Sequence, residues 1–360
     1  MQGTQLRFGS FSDRWTPTTI GQILTIKHGK DYKHLPEGEI PVLGTGGKIS
    51  CVTEALCNWP CVLIGRKGTI NKPQYMDVPF WSVDTLFYSK AKDGQSPKFQ
   101  YYLFQTIDWL KYNEASGVPS LSAATIEKIS VNVPSIDEQQ KIAAFFAALD
   151  EKIQNTCKKL VLTLKMKRAL VRNIFTREVG FSSSSDWHDV TLGEVSSIIK
   201  TRKSSDFLLY VGTEDLIKDF GGLNKVKKED VSGIYFEKDD ILISNIRPYL
   251  KKLWMSDEEG IASTDVIVYR SKNIEPSLLK HILSTDSFFE HVAQGYKGSK
   301  MPRGDKSQMA TFAFQIPSDE NEQKQIANFL NLIDKKITCL REQEKALKKK
   351  KQAFMQQMFV

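Results

Sequence analysis

From Glu138 to Phe175 the chain carries no proline or glycine, and its apolar residues recur at alternating spacings of four and three. The positions are Ile142, Phe146, Leu149, Ile153, Thr156, Leu160, Thr163, Lys167, Leu170 and Ile174. A second run has the same spacing: Ile326, Leu330, Ile333, Ile337, Leu340, Glu344, Leu347, Lys351, Phe354 and Met358. Such patterning, sustained over about five heptads, predicts coiled-coil helices. Two separate surface helices are the plainer alternative, but they would have no reason to share a register. Helix packing is therefore assigned to Ile142, Phe146, Leu149, Ile153 and Leu160 on one helix, and to Ile326, Leu330, Ile333, Ile337 and Leu340 on the other. Each helix follows a proline-serine stretch with N-cap candidates, Ser135 or Asp137 and Ser318 or Asp319. At 1.5 Å per residue each would extend roughly 57 Å. Joined through a folded module, the two pack most simply antiparallel, with a module at either end of the rod.

The shared register belongs to a wider repeat. Residues 138–153, EQQKIAAFFAALDEKI, recur as EQKQIANFLNLIDKKI at 322–337, an offset of 184 that holds without a gap to Phe175 and Phe359. Upstream, Val118-Pro119 matches Met301-Pro302, and Ile129, Val131, Val133, Pro134 match Phe312, Phe314, Ile316, Pro317 at offset 183. At the front, Trp15 and Ile20-Gly21-Gln22-Ile23 match Trp187 and Leu192-Gly193-Glu194-Val195 at offset 172, so the second copy holds about 11 extra residues. The flanks of the copies match and the interiors, roughly 25–115 and 197–298, do not. Two copies of an enzyme would tend to keep the same catalytic residues in both interiors. Two modules that recognise different targets on a common frame would diverge as these do; so would any duplicated fold under neutral drift.

The interiors read as short strands and turns with a few helices. In the first copy Pro41-Val42-Leu43 and Cys61-Val62-Leu63-Ile64 are strand-like and Phe99 to Lys111 is helical. In the second, strands are expected at Phe207–Val211, Asp240–Ser244 and Asp265–Tyr269, and a helix near Pro276–Val292. The fold class is mixed α/β (α+β), with modules at 1–135 and 181–317 and long helices at 136–180 and 318–360.

The 360 residues include 50 Lys and Arg against 42 Asp and Glu, a net charge of +8 that favours an anionic partner, nucleic acid before membrane. From Lys152 to Arg177 there are eight basic residues and no acid, either a solvated helix face or a phosphate- or acid-contacting one. Hydrophobic content of 41% suits globular cores. No run of 18 apolar residues exists for a membrane span, and the polar stretch Met1–Trp15 is not that of a signal peptide. The expected setting is cytoplasmic, with Cys51, Cys57, Cys61, Cys157 and Cys339 as reduced thiols.

Candidate DNA-binding residues lie in basic loops. Gly44-Thr45-Gly46-Gly47-Lys48 and Gly65-Arg66-Lys67-Gly68-Thr69 combine backbone access with cations. Neither has P-loop spacing, and each is also what a plain turn looks like. In the second copy the candidates are Lys200, Arg202 and Lys203; Asn245, Arg247 and Tyr249 followed by Lys251 and Lys252; and Lys297, Lys300 and Arg303. Arginine and asparagine suit bidentate base contacts, lysine suits phosphate. No adenine-methylation motif, methyl-donor glycine fingerprint, Walker A or zinc signature is present, and His28, His34, His188, His281 and His291 form no recognisable cluster. No catalytic residue, metal ligand or cofactor site is assigned.

The residues that carry a family likeness are now in view. Leu6-Arg7-Phe8, Asp13-Arg14-Trp15, the stretch GVPSLSAATIEKISVNVPSIDEQQKIA at 117–143 and its partner GSKMPRGDKSQMATFAFQIPSDENEQKQIA at 298–327 resemble the specificity subunit of Type I restriction–modification systems, over essentially the whole chain. The resemblance implies two target recognition domains separated by antiparallel helices, each domain reading one half of a bipartite DNA site. It implies a non-catalytic subunit that docks two modification (methyltransferase) subunits on its helices. These would use S-adenosylmethionine, and the restriction subunits that join them would use ATP and Mg. No cofactor is expected in this chain. Residues 1–15 would pack against the second long helix. Two other classes compete with this reading: an enzyme with unrecognised motifs, and a coiled-coil adaptor that binds protein only.

Overall fold

The computed structural model describes residues 6–180, 186–205, 208–224, 227–228, 231–298 and 300–359. The chain divides into two compact units, Met1–Cys157 with Gln343–Val360, and Lys158–Glu342. Each unit takes part of both long helices.

In the first unit, strand Thr16–Thr19 pairs antiparallel with Ser130–Val133. It leads into the short helix α1 (Ile20–Ile23), where Gln22 Oε1 accepts from Thr19 N at 3.1 Å. A four-stranded sheet runs in the order Leu24–Lys27, Leu86–Ala91, Cys61–Gly65, Gln74–Met76. A three-stranded sheet joins Gly47–Val52, Glu37–Gly44 and Trp81–Ser82. Helix α2 (Pro97–Thr106) starts at Ser96, whose side chain accepts from Phe99 N, and carries a proline in its first turn. It ends at Thr106, five residues short of the Lys111 end read from the sequence, giving way to a 3₁₀ turn at Trp109–Tyr112. Helix α3 (Ala123–Lys128) precedes the strand to the first long helix, α4 (Ile136–Phe175). Because α4 begins at Ile136, Asp137 lies inside its first turn, and Ser135 is the flanking residue.

The second unit repeats this plan. Strand Trp187–Thr191 pairs with Ala313–Pro317 and leads into α5 (Leu192–Val195), where Glu194 Oε2 accepts from Thr191 N at 2.6 Å. The four-stranded sheet here is Ser196–Ile198, Val266–Ser271, Ile241–Ser244, Leu253–Met255. A five-stranded sheet that includes Arg202–Ser205 and Leu209–Val211 lies beside it in the chain's topology. Phe207, the expected start of one strand, lies outside the described residues. The single helix expected near Pro276–Val292 is two, α6 (Pro276–Leu283) and α7 (Asp286–Ala293). The break comes at Thr285, whose hydroxyl caps Phe288 N and so starts a new helix. Helix α8 (Lys306–Ala310) and the last long helix, α9 (Glu320–Met358), complete the unit.

Identical internal contacts show why the flanks of the two copies match. Ile20 N donates to Ile129 O in one unit and Leu192 N to Phe312 O in the other. Gln139 is buried and bridges Pro134 O to Ser96 N; Gln323 bridges Pro317 O to Glu275 N. Each glutamine thus satisfies a carbonyl at a strand end and an amide at a helix start with one side chain. The aromatic pair Trp15–Phe359 (6.0 Å) has its counterpart in Trp187–Phe175 (6.4 Å). Residues 6–15 do pack on the second long helix, through Leu6 N to Gln357 O; residues 1–5 lie outside the described ones.

Within the first unit the helix segments run antiparallel, with Phe145 against Phe354 and Asp150 against Lys351. Ile142, Phe146, Ile153, Ile326, Leu330, Ile333, Ile337 and Leu340 are buried, and Leu149 and Leu160 half-buried. Thr156 and Thr163 sit in the seam with their hydroxyls donated to Lys152 O and Lys159 O of their own helix. The two seam lysines each meet an aspartate. Lys351 Nζ lies 2.7 Å from Asp150 Oδ1, and Lys167 pairs with Asp334, the residue at offset 184 from Asp150. Each aspartate also holds the neighbouring short helix: Tyr102 of α2 donates to Asp150 at 3.0 Å, and Lys280 of α6 pairs with Asp334.

At Asp334, burial opposes ionisation most strongly, yet Lys280 and Lys167 together outweigh it and hold the carboxyl at about 2. His281, fully buried next to it, donates from Nε2 to Asn331 Oδ1 at 3.0 Å. Burial, then Lys280 and Lys167, push its pKa well below 6.5, so the folded unit keeps it neutral. Below pH 6.5 the unfolded chain takes up a proton that the folded state refuses, and stability falls as pH falls. One such proton is worth about 1.4 kcal/mol per pH unit. Urea unfolding of H281Q between pH 7 and 5 is expected to show a pH slope smaller by about that amount than the wild-type chain; an equal slope would contradict the assignment.

Candidate nucleic-acid interface

In the first unit the wholly buried strand Cys61–Gly65 delivers the chain to a tight turn. Gly65 has no room for a side chain: a Cβ there would lie 2.2 Å from Thr69 O. Arg66 N and Lys67 N both donate to Thr85 O, Gly68 N donates to Pro119 O at 2.8 Å, and Leu121 N donates to Arg66 O at 2.9 Å. The turn is thereby clamped between two distant loops. The other glycine-bearing loop, Gly44 to Lys48, forms the tip of the hairpin between Glu37–Gly44 and Gly47–Val52. Thr45 from that tip reaches the neighbourhood of both Gly65 and Gly68. Gly44, Thr45, Arg66 and Lys67 are therefore brought to one place. Arg66 Nη1 donates to Asp84 O at 3.3 Å, and Lys48 and Lys67 are exposed with no ion-pair partner among the described residues.

The same turn stands in the second unit. Strand Ile241–Ser244, again wholly buried, delivers Asn245, Ile246 and Arg247. Asn245 N donates to Asp265 O and Arg247 N to Pro302 O, both at 2.8 Å, and Ile246 bridges to Arg303 where Lys67 bridges to Ser120. The contacts equate Arg66 with Asn245, Gly68 with Arg247 and Ser120 with Arg303. Gly68 has φ +88° and Arg247 φ +50°. A side-chain-bearing residue in that left-handed conformation costs about 1–2 kcal/mol, so the turn geometry persists although its occupant is unfavourable. Asn245 Oδ1 is buried without a donor, an unsatisfied acceptor at the turn.

The remaining candidates differ in freedom. Lys297 pairs with Asp305, Lys251 with Asp286, and Arg303 with Asp265 at 3.0 Å. Lys252 Nζ donates to Thr213 O at 2.6 Å. Lys300 is exposed in a bend, and Tyr249 is exposed on a 3₁₀ turn that begins at Pro248. Lys297 and Arg303 join Asn245 and Arg247 at the turn through backbone bridges. Arg202 and Lys203 lie on the five-stranded sheet, where Lys203 Nζ sits 3.2 Å above the Tyr235 ring, and Lys200 precedes them; among the described residues no hydrogen bond or ion pair ties these three to the turn. Thr85, Asp84, Ser120 and Asp265 are turn residues that sequence reasoning missed. The Val118-Pro119 and Met301-Pro302 match marked the loop of Ser120 alone; no repeat signal pointed to Asp84, Thr85 or Asp265.

Known proteins agree with this architecture. The model of the Type I restriction modification DNA specificity domain matches residues 12–163 and 184–349. The MjaVIII specificity subunit of Methanocaldococcus jannaschii, a Type I restriction enzyme component, is 26% identical over 290 residues, 71% of this chain and 68% of the relative. The MjaIX specificity subunit of the same organism is 25% identical over 186 residues, 50% of this chain and 40% of the relative. Among solved structures, the S subunit of a Type I restriction–modification system from M. genitalium superposes with a TM-score of 0.71 at 16% identity, covering 99% of both chains. A chain from a structural study of complex assembly and conformational transition of the type I R-M system gives 0.53 at 14% identity, covering 97% of this chain and 98% of that one. Two specificity-domain matches on a duplicated frame place this chain in the family of Type I restriction–modification specificity subunits, which are not themselves catalytic.

Proposed function

We propose that this subunit selects a bipartite, asymmetric DNA site, with one target recognition domain in residues 1–135 and the other in 181–317. The observation that carries the reading is the turn built twice with different residues at its tip. Arg66 in the first unit and Asn245 in the second occupy one backbone position, held by equivalent hydrogen bonds. Arginine pairs bidentately with guanine, whereas Asn245 keeps its Oδ1 buried at the turn, so exchange of side chains at this fixed position changes what the turn presents to a base. The glycine tip Gly44–Lys48 and the cations Lys48, Lys67 and Lys300 suit phosphate contacts that set the register. Lys200, Arg202 and Lys203 supply a second basic edge to the second domain.

The helices in 136–180 and 318–360 set the spacing between half-sites and dock two methyltransferase subunits, with restriction subunits joining them. S-adenosylmethionine, ATP and Mg belong to those partners, and no cofactor is held here. A cytoplasmic setting is part of this reading; no helix among the described residues is long and apolar enough to cross a membrane.

R66Q/K67Q is expected to weaken discrimination at one half-site and leave the preference at the other intact, as read by competition binding on DNA libraries randomised in each half. A joint change in both preferences would contradict modular reading. Removing seven residues from the 142–174 helix and the matching seven from 326–358 should alter the gap between half-sites without changing the bases read. An unchanged gap would remove the spacer role.

A further inference from the structure

The duplicated frame contains a duplicated groove, and the two copies differ in charge. In the second unit it is a cavity of about 850 Å³ with an apolar floor that includes Leu164, Phe220, Trp254 and Ile337. In the first unit the positions at offset 184 line a smaller cavity of about 460 Å³, where Lys348, Lys351, Met355 and Phe359 stand for Leu164, Lys167, Val171 and Phe175. The rims are not alike. Arg168, Arg172 and Arg341 line the second-unit groove. Their counterparts are Gln352, Gln356 and Cys157.

The frame forms equally well with either set, so the arginines are not there to make the fold. Nor are they consumed by it. Among the described residues none of the three has a carboxylate partner, while two of the groove's acids are engaged, Asp286 by Lys251 and Asp334 by Lys167 and Lys280. Only Asp219 is left on the acidic side among the lining residues. Guanidinium groups with no carboxylate partner among the described residues, Arg172 donating only to Asn173 Oδ1, lie above an apolar floor and complement a ligand with carboxylates on one side and hydrophobic side chains on the other. A duplex presents phosphates and sugars, which would leave Trp254 and Leu164 unmatched. Apolar anchors ringed by Arg are the make-up of a protein-binding site.

We propose that this groove docks an acidic amphipathic segment of a partner protein, and that the equivalent groove of the first unit, lacking the arginines, has no such selection for acid. The inference goes beyond DNA reading and stands or falls separately from it. Each arginine–carboxylate contact in such a site is a charge-assisted bond. Loss of two should lower affinity by about tenfold or more.

The probe is a short helical peptide with glutamates on one face and leucines and a tryptophan on the other, compared with its glutamine-for-glutamate analogue. Binding to the full chain is followed by fluorescence anisotropy. The wild-type chain is expected to bind the glutamate peptide more tightly than the analogue, less so at high salt. R168Q/R172Q, which installs the residues the first unit already holds, should remove the difference. Q352R/Q356R should add a second acid-selective site, a gain that does not depend on the first variant's folding. Unchanged affinity in R168Q/R172Q, or no gain in Q352R/Q356R, would overturn the proposal. So would a loss of duplex-DNA affinity by the same factor in R168Q/R172Q, which would assign the arginines to nucleic acid.

Discussion

A half-buried lysine–aspartate pair, set into the seam of two antiparallel helices and made once in each unit, is the constraint on which the frame depends. Lys351 meets Asp150, and Lys167 meets Asp334. Lys167 stands at a heptad position otherwise given to Phe146, Ile153, Leu160 and Ile174, and Lys351 at one shared with Leu330, Ile337, Glu344 and Met358. A register shift would separate the partners and leave each charge facing apolar seam residues without its counter-charge, at a cost in free energy. The pair thus fixes which turn of one helix faces which turn of the other. The same aspartates hold Tyr102 of α2 and Lys280 of α6, so the position of each globular module on its helices follows from the seam.

Once the module is fixed, its backbone returns to the same points in both units. The buried glutamines, Gln139 and Gln323, and the capped strand ends repeat with the same partners, although most interior residues between them differ. Divergence concentrates where the frame does not need a particular side chain: at Arg66 against Asn245, at Gly68 against Arg247, and on the groove rims. The strained Arg247 is informative here, because a glycine would satisfy that turn at less cost. The second unit carries an arginine there all the same.

Much of this frame was legible in the sequence, because repeats and heptads are local patterns. The seam lysines 167 and 351 were visible as interruptions of an apolar stripe, but their aspartates were not, since each lies on the other helix. The break between α6 and α7 was hidden inside a continuous apolar pattern and came from the cap at Thr285. The sites were less legible still. Arg66 and Asn245 were both singled out as basic-loop or amide candidates. Their equivalence rests on backbone hydrogen bonds to Thr85, Pro119, Asp265 and Pro302, all distant in sequence and flanked by unmatched interiors. Charge alone could not separate Lys67, which is exposed and unpaired, from Lys297 or Lys251, which are tied to carboxylates.

On the proposed reading, this chain carries the target choice of a modification complex in two separable halves. Co-expression with its neighbouring methyltransferase subunit, followed by mapping of methylated adenines across the host genome, tests it most directly. The account predicts one bipartite motif with a fixed gap that vanishes when this chain is omitted. Methylation that persists without the chain, or a stable complex that leaves the genome unmodified, would contradict it.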